Sequence, residues 1–276
     1  MIRARKRFGQ HFLHDPAVIA RIVHAVAPQP GDHLVEIGPG HGALTDELLA
    51  RPYASFDAVE IDRDLAAQLR PRLQRARAAA LHEADALEVD FRALACARGG
   101  RLRIVGNLPY NVSTPLLFHL LDAAPSIRDL HVMLQREVAA RMAAAPGSSE
   151  YGRLGVMLAP WVRVERLFEV GPGAFRPAPR VWSAVVRLTV REQPAFEVSV
   201  EFARVVSLAF SHRRKTVRNA LRSLLEPAAI SACGIDPGAR PETLEPAAFN
   251  ALARQVAAAA PPPPQAPASP PQGTIR

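Results

Sequence analysis

The stretch "VEIGPGHGALT", Val35–Thr45, decides how the rest of the chain is read. It begins inside an apolar run, "HLVEI" (His33–Ile37), that reads as a β-strand. Three glycines follow, Gly38, Gly40 and Gly42, and then "GALTDELLA" (Gly42–Ala50), whose leucines at 44, 48 and 49 fit one helix face. Glycines between a strand and a helix let the backbone turn sharply and let a ligand approach it closely. The string also satisfies G-x-G-x-x-A, so the glycines alone do not choose between a dinucleotide and another nucleotide.

Glu36, two residues before Gly38, helps to choose. A carboxylate there repels a pyrophosphate but suits a ligand carrying an ammonium and a sulfonium, as S-adenosylmethionine (SAM) does. Downstream, short apolar runs alternate with amphipathic ones over residues 33–190, the mark of βαβ units and a parallel sheet. Strands are read at Phe56–Ile61, Ala78–His82, Arg101–Gly106 and Asp129–Gln135, with a late, antiparallel one at Ser183–Val190. Helices are read at Arg63–Ala76, Val112–Ala124 and Arg136–Ala144. Glu60 closes the second strand, where an acidic residue accepts both hydroxyls of a ribose, in NAD or SAM alike. Asp85, after the third strand, either accepts from an adenine amine or caps a helix.

From about Val198 strands give way to helical patterns at 199–211, 214–225 and Glu245–Ala259. The expected layout is a Rossmann-like α/β domain over 1–192, a small all-α domain over 193–258, and a disordered Pro-rich tail over 259–276, which has too few apolar residues to build a core. The 276 residues carry 34 Lys and Arg against 26 Asp and Glu, a net charge of +8. That excess points to a polyanionic partner, although Arg, Ala and Pro richness also follows genomic base bias. Cys96 and Cys233 are far apart and lack metal-ligand spacing, so neither a disulfide framework nor a zinc site is expected. No apolar run is long enough to span a membrane. The Arg-rich start lacks the apolar core of a secretory signal.

A second motif sets the chemistry. "GNLPY" (Gly106–Tyr110) follows the fourth strand. Exocyclic amines of nucleobases are poor nucleophiles because the lone pair is delocalised into the ring. Two acceptors aimed at the two N–H groups draw the nitrogen towards tetrahedral geometry. The Asn107 side-chain oxygen supplies one acceptor. The Leu108 carbonyl supplies the other, its direction restricted because Pro109 follows. Tyr110 offers a flat face for a base taken out of its helix. No metal is needed, since SAM carries a leaving group good enough for direct in-line transfer.

With these residues in order, the chain resembles the KsgA/RsmA-type 16S rRNA adenine N6,N6-dimethyltransferases of the rRNA adenine dimethylase family. The likeness covers most of residues 5–250, through "RFGQHFL", "VEIGPGHGALT", "AVEIDRDLA", "ADAL", "VGNLPYNVSTPLLFHLL", "LQREVAARM", "YGRLGVM" and "FRPAPRVWSAVVRL". It implies a SAM-dependent enzyme, yielding S-adenosylhomocysteine, that dimethylates two adjacent adenosines in the 3′-terminal hairpin of 16S rRNA in the immature 30S subunit. A cytoplasmic monomer is expected. By motif, His11 and Leu13 line the SAM pocket together with Glu36, Gly38, Gly40, Glu60, Asp85 and Asn107. Asn107, Leu108, Pro109 and Tyr110 form the methyl-transfer signature, and Phe175 is the second aromatic against the adenine. Because "RFGQHFL" belongs to the family's mature fold, a cleaved presequence is not expected.

"FARVVSLAFSHRRKTVRNALRSLL" (Phe202–Leu225) is free of acidic residues and holds Arg213, Arg214, Lys215, Arg218 and Arg222, an expected RNA-binding surface. Arg214, Arg218 and Arg222 recur every four residues, as along one helix face. "RARKR" (Arg3–Arg7) adds a second basic cluster. Two other readings remain open at this point: a non-catalytic nucleic-acid-binding factor on the same fold, and an Erm-type methyltransferase acting on 23S rRNA, which shares the N-x-P-Y pattern.

Overall fold

The computed structural model describes residues 10–212 and 214–259. The chain divides into two compact units after Glu197. Residues just past the expected boundary at 192 stay with the first unit because the Ala195 N–H donates to the Pro160 carbonyl at 2.8 Å. The basic cluster Arg3–Arg7, Arg213 and the Pro-rich stretch from 260 onward lie outside the described residues.

The first unit contains strands β1 (Phe12–Leu13), β2 (His33–Ile37), β3 (Ser55–Val59), β4 (Ala79–His82), β5 (Leu102–Asn107), β6 (Ile127–Gln135), β7 (Val162–Val170), β8 (Phe175–Arg176) and β9 (Ser183–Val190). Between them run helices α1 (Pro16–Val26), α2 (Ala43–Leu49), α3 (Arg63–Arg75), α4 (Phe91–Arg98), α5 (Ser113–Asp122), α6 (Arg136–Ala143) and α7 (Arg153–Leu158). The main sheet has the order β4-β3-β2-β5-β6-β9-β7. Pairing is parallel from β4 to β6, and antiparallel from β6 to β9 and from β9 to β7. β1 and β8 form a separate two-stranded antiparallel pair.

Strand order reverses between β2 and β5, and at such a switch point the crossovers leave a crevice at the carboxyl ends of the strands. Both faces of the sheet are covered, so the strands read as nearly continuous apolar runs. Leu34, Phe56, Ala58, Val105 and Met133 point to one face, where they pack with Ile19, Ile22, Val23 and Val26 of α1 and with Leu44 and Leu48 of α2. Val35, Ile104, Val132 and Leu134 point to the other, against Leu116, Leu117 and Leu120 of α5. Arg103 of β5 is buried on the α1 side. It donates through Nη1 to Asp32 at 2.6 Å, through Nε to Asp129 at 3.0 Å and through Nη2 to the Val26 carbonyl at 2.8 Å.

Six elements of this unit go beyond the sequence reading, namely β1, α1, α4, α7, β7 and β8, and two of them show why. α1 starts at Asp15, whose carboxylate accepts from the Ala17 and Val18 N–H groups, with Pro16 at the first helical position. β7 is an edge strand that shifts register between Arg166 and Phe168. The bulge breaks its alternation, and its polar residues face solvent.

The second unit is helical among its described residues: α8 (Phe202–Ala209), α9 (Val217–Ala220), α10 (Pro227–Ala232) and α11 (Pro246–Ala259). Phe202, Val205, Val206, Val217, Leu221, Phe249 and Leu252 form its interior. The helix expected over 214–225 is not continuous. Arg214 has φ +71°, outside the helical region, and Thr216 is extended. The Val217 and Arg218 N–H groups donate to the carbonyls of Ala239 and Pro237, so helical bonding begins only there and ends at Leu221. Arg214, Arg218 and Arg222 are all exposed but do not share one helix face. Only Arg218 is helical.

Candidate active site

A cavity of about 300 Å³ opens at the switch point, over the carboxyl ends of β2, β3 and β5. Its wall includes His11, Leu13, Glu36, Gly38, Gly40, Glu60, Asp85, Asn107, Leu108, Pro109 and Tyr110. All the expected cofactor residues, and all of "NLPY", therefore meet in one place.

The glycine loop is shaped by its neighbours. Gly38 and Gly40 have φ +66° and +60°, which L side chains rarely adopt. A Cβ at Gly40 would also meet the Phe12 ring at 3.0 Å. The Phe12 ring lies 4.3 Å from that of His41, closing the loop from above. The Gly40 N–H donates to Glu60 Oε2 at 3.1 Å and the Asp62 N–H to Oε1 at 2.9 Å. Each carboxylate oxygen keeps a second acceptor position for a ribose hydroxyl. Burial pushes the Glu60 carboxyl above its ordinary pKa, against the backbone amides that favour its charged form. Asp85 Oδ1 accepts from the Leu87 N–H at 2.9 Å, which fixes a turn rather than capping a helix.

Glu36 is 2% exposed. Its Oε2 accepts from the Thr45 hydroxyl at 2.6 Å. Burial pushes its pKa up to about 8, with Thr45 opposing and the negative charges of Glu60 and Asp46 adding to the rise. With no cation beside it, burial favours the protonated carboxyl. A cationic ligand beside it favours the carboxylate. The cradle formed by the glycines, the acceptors Glu60 and Asp85, and a buried carboxyl that a cation would ionise fit SAM.

On the other side of the cavity, Asn107 Nδ2 donates to the His11 carbonyl at 2.8 Å, leaving Oδ1 as the free acceptor. The Leu108 N–H donates to the Met133 carbonyl at 3.0 Å, which pins that residue to β6. The Leu108 carbonyl accepts nothing from the described residues, and Pro109 has no N–H of its own to offer nearby. Two free acceptors thus sit on adjacent residues of one rigid turn. The Tyr110 hydroxyl is 2.6 Å from Ser183 Oγ. Burial pushes the phenol pKa up, with Ser183 opposing. The ring centroid lies 5.6 Å from that of His11, at 31°.

Phe175 is a correction. It is 2% exposed, is not on the cavity wall, and packs in the core with Leu13, its strand partner, and with Val170 and Val185. Pairing of β8 with β1 points the ring inward, where burying an aromatic side chain is favourable by about 2–3 kcal/mol. The ring supports Leu13 from behind instead of facing a base. Thr45 and Ser183 are site residues that sequence reasoning left out. Both stand inside quoted motifs, but only the fold shows that they hold Glu36 and Tyr110.

The comparisons with known proteins agree with this geometry. The family model described as Ribosomal RNA adenine dimethylase matches residues 1–258. Ribosomal RNA small subunit methyltransferase A of Pseudomonas putida is 52% identical over 257 residues, covering 92% of this chain and 96% of that protein. The Acidithiobacillus ferrooxidans protein of the same name is 53% identical over 254 residues, covering 91% and 94%. Among solved structures, a dimethyladenosine transferase from Plasmodium falciparum has the same fold, with a TM-score of 0.73 at 24% identity over 88% of this chain and 96% of that one. The 23S rRNA methyltransferase ErmE gives 0.69 at 27% identity, covering 89% and 99%. With its family model spanning both units, and relatives more than half identical in sequence, the chain belongs to the ribosomal RNA adenine dimethylase family.

Proposed function

We propose that this chain is a SAM-dependent enzyme that places two methyl groups on N6 of each of two adjacent adenosines in the 3′-terminal hairpin of small-subunit rRNA, acting as a cytoplasmic monomer on the immature 30S particle. The observation that carries the reading is the pair of free acceptors, Asn107 Oδ1 and the Leu108 carbonyl, on a cavity wall shared with Glu60 and Asp85. SAM supplies a methyl carbon on a cationic sulfur and departs as S-adenosylhomocysteine. Every other part belongs to the protein.

Asn107 Oδ1 and the Leu108 carbonyl accept the two N6–H groups and turn the nitrogen lone pair away from conjugation with the ring. The Tyr110 face holds the base. With SAM held against Glu36, Glu60 and Asp85, that nitrogen would take the methyl carbon as the carbon–sulfur bond breaks. The resulting cationic nitrogen is acidic and loses its proton to water, so no strong base is required. After the first transfer one N–H remains, and one acceptor suffices to orient it for the second.

The likeness to ErmE keeps a 23S rRNA substrate in view. Identity of 52% to small-subunit enzymes, against 27% to ErmE, favours the small subunit. Intact Glu60 and "NLPY" favour catalysis over a purely binding role. The test incubates the protein with labelled SAM and either immature 30S particles or 50S-derived RNA, and maps the labelled base. Two dimethylated adenosines near the 16S 3′ end are expected. Label in 23S RNA alone would overturn the assignment.

A further inference from the structure

One residue before Ser183, which holds the Tyr110 hydroxyl, stands an aromatic side chain that the methyl-transfer geometry does not use. Trp182 is 48% exposed, and Val181 before it is 44% exposed. Large apolar side chains this exposed are uncommon in the first unit and call for a reason when they adjoin a functional site.

The position of Trp182 is well defined. Its carbonyl accepts from the Arg136 N–H at 2.9 Å. The next residue, Ser183, pairs with Gln135 of β6 and Val170 of β7, and its Oγ is the atom that holds the Tyr110 hydroxyl. One peptide unit therefore separates Trp182 from the residue that fixes the base-holding tyrosine. The indole rests against Gly171, where a Cβ would lie 3.6 Å from Cη2 and 3.8 Å from Cζ3. The ring is thus backed on one edge by main chain, and no aromatic ring among the described residues stacks on it.

Its surroundings are cationic. Arg176, which ends β8, and Arg180, on the segment that leads from it to Trp182, are exposed and form no ion pair among the described residues. Arg136, also exposed, is only loosely paired to Glu169 at 3.6 Å. A flat apolar face with exposed guanidinium groups close to it in sequence, next to the serine that holds Tyr110, matches a single-stranded nucleic acid: a base for the ring and phosphates for the arginines.

We propose that Trp182 is a stacking platform for an unpaired base of the RNA substrate that flanks the target adenosine. The proposal rests on the rRNA-methyltransferase reading above and adds a positioning residue outside "NLPY". Holding the neighbouring base fixes the direction of the strand, and so sets which nucleotide reaches Tyr110 and the two acceptors.

The test uses the full chain with Trp182→Ala and Trp182→Phe, assayed on deproteinised hairpin RNA and on immature 30S particles. On the hairpin, Trp182→Ala should raise the RNA KM roughly tenfold to hundredfold, the range expected for one base–aromatic stack, while kcat at saturating RNA and SAM affinity stay within about threefold. Trp182→Phe should restore most of the KM, since a ring remains. The salt dependence of binding should not change, because no charge is removed. The chain has two tryptophans, so in a Trp161→Phe background the fluorescence of Trp182 should be quenched when RNA binds. That reading does not depend on methylation, and it distinguishes failure of this proposal from failure of the catalytic assignment. An unchanged KM for Trp182→Ala on the hairpin overturns the proposal. So does a loss seen only on the particle, which would make the ring a protein contact.

Discussion

Asn107 Nδ2 donates to the main-chain carbonyl of His11 at 2.8 Å, across 96 positions of sequence. Only the nitrogen of an amide can donate to a carbonyl, so this bond decides which way the side chain faces. Oδ1 is left free at the cavity, beside the unengaged carbonyl of Leu108. Asn107→Ala removes one acceptor and the orienting bond together. We expect single-turnover methyl transfer, with SAM and RNA both saturating, to fall by about two to three orders of magnitude, the usual loss for one preorganised polar group. RNA affinity should stay within a few-fold. Full activity in this variant would remove Asn107 from the mechanism.

Glu36 predicts a pH dependence. Its folded pKa, pushed up to about 8, lies above the ordinary 4.5 of an unfolded Glu. The folded state therefore holds the proton more tightly. The stability this confers is complete below pH 4.5 and is lost as pH rises towards 8. At 1.36 kcal/mol per unit, the span is at most about 5 kcal/mol for the cofactor-free protein. Glu36→Gln keeps an acceptor for Thr45 but cannot ionise. The difference in unfolding free energy between wild type and variant, followed by urea titration from pH 5 to pH 8.5, should move steadily in favour of the variant. A flat difference would mean that the carboxyl is ionised throughout. Added SAM should reduce the slope, because a cation beside Glu36 favours the carboxylate.

Much of this architecture is legible in the sequence, for identifiable reasons. β2 and β9 occupy the residues read from the pattern alone, His33–Ile37 and Ser183–Val190. Central strands covered on both faces leave unbroken apolar runs, and β9 shows its alternation. The glycine loop is legible because positive φ angles demand glycine. β7 is not legible, since an edge strand with a bulge carries charges where a regular strand would alternate. α1 had its signal in Asp15-Pro16, a helix start that periodicity alone passes over. Phe175 shows a deeper limit. Its motif places it near the site, but the pairing of Leu13 with Phe175 turns it inward, and that pairing spans most of the unit. The Tyr110–Ser183 and Asn107–His11 bonds are hidden for the same reason: they join segments that meet only once the sheet is assembled.

Arg103 tests the foundation under the site. It is buried with two carboxylates, Asp32 and Asp129, and it bonds to the end of α1. Arg103→Ala leaves both acids without their buried cation, and breaking such a cluster typically costs about 3–5 kcal/mol. A urea midpoint shifted down accordingly, with unchanged slope, is the expected result. Replacing Arg103, Asp32 and Asp129 together by Leu, Asn and Leu should cost far less than the single change, because no charge is then stranded. A triple variant no more stable than the single one would show that packing, rather than charge, dominates there.

The basic segment of the second unit presents scattered charges, and RNA binding by it is a proposal with a direct test. Arg214 and Lys215 sit before α9, Arg218 lies within it and Arg222 follows it, so the charges are spread over turns instead of lining one helical stripe. No carboxylate among the described residues pairs with any of the four. Unpaired cations spread in this way would meet phosphates without fixed register, so their contribution to RNA affinity should be additive and salt-dependent. Replacing Arg214, Lys215 and Arg218 together by Gln should weaken RNA binding and flatten the plot of log affinity against log salt by up to about two to three, at roughly 0.7–0.9 for each phosphate no longer neutralised. SAM affinity should stay where it is, since the cavity wall is drawn from residues 10–116. Unchanged affinity across the whole salt series would move the RNA-binding surface elsewhere. Weaker binding with no change of slope would instead mean that these residues act on bases or on protein.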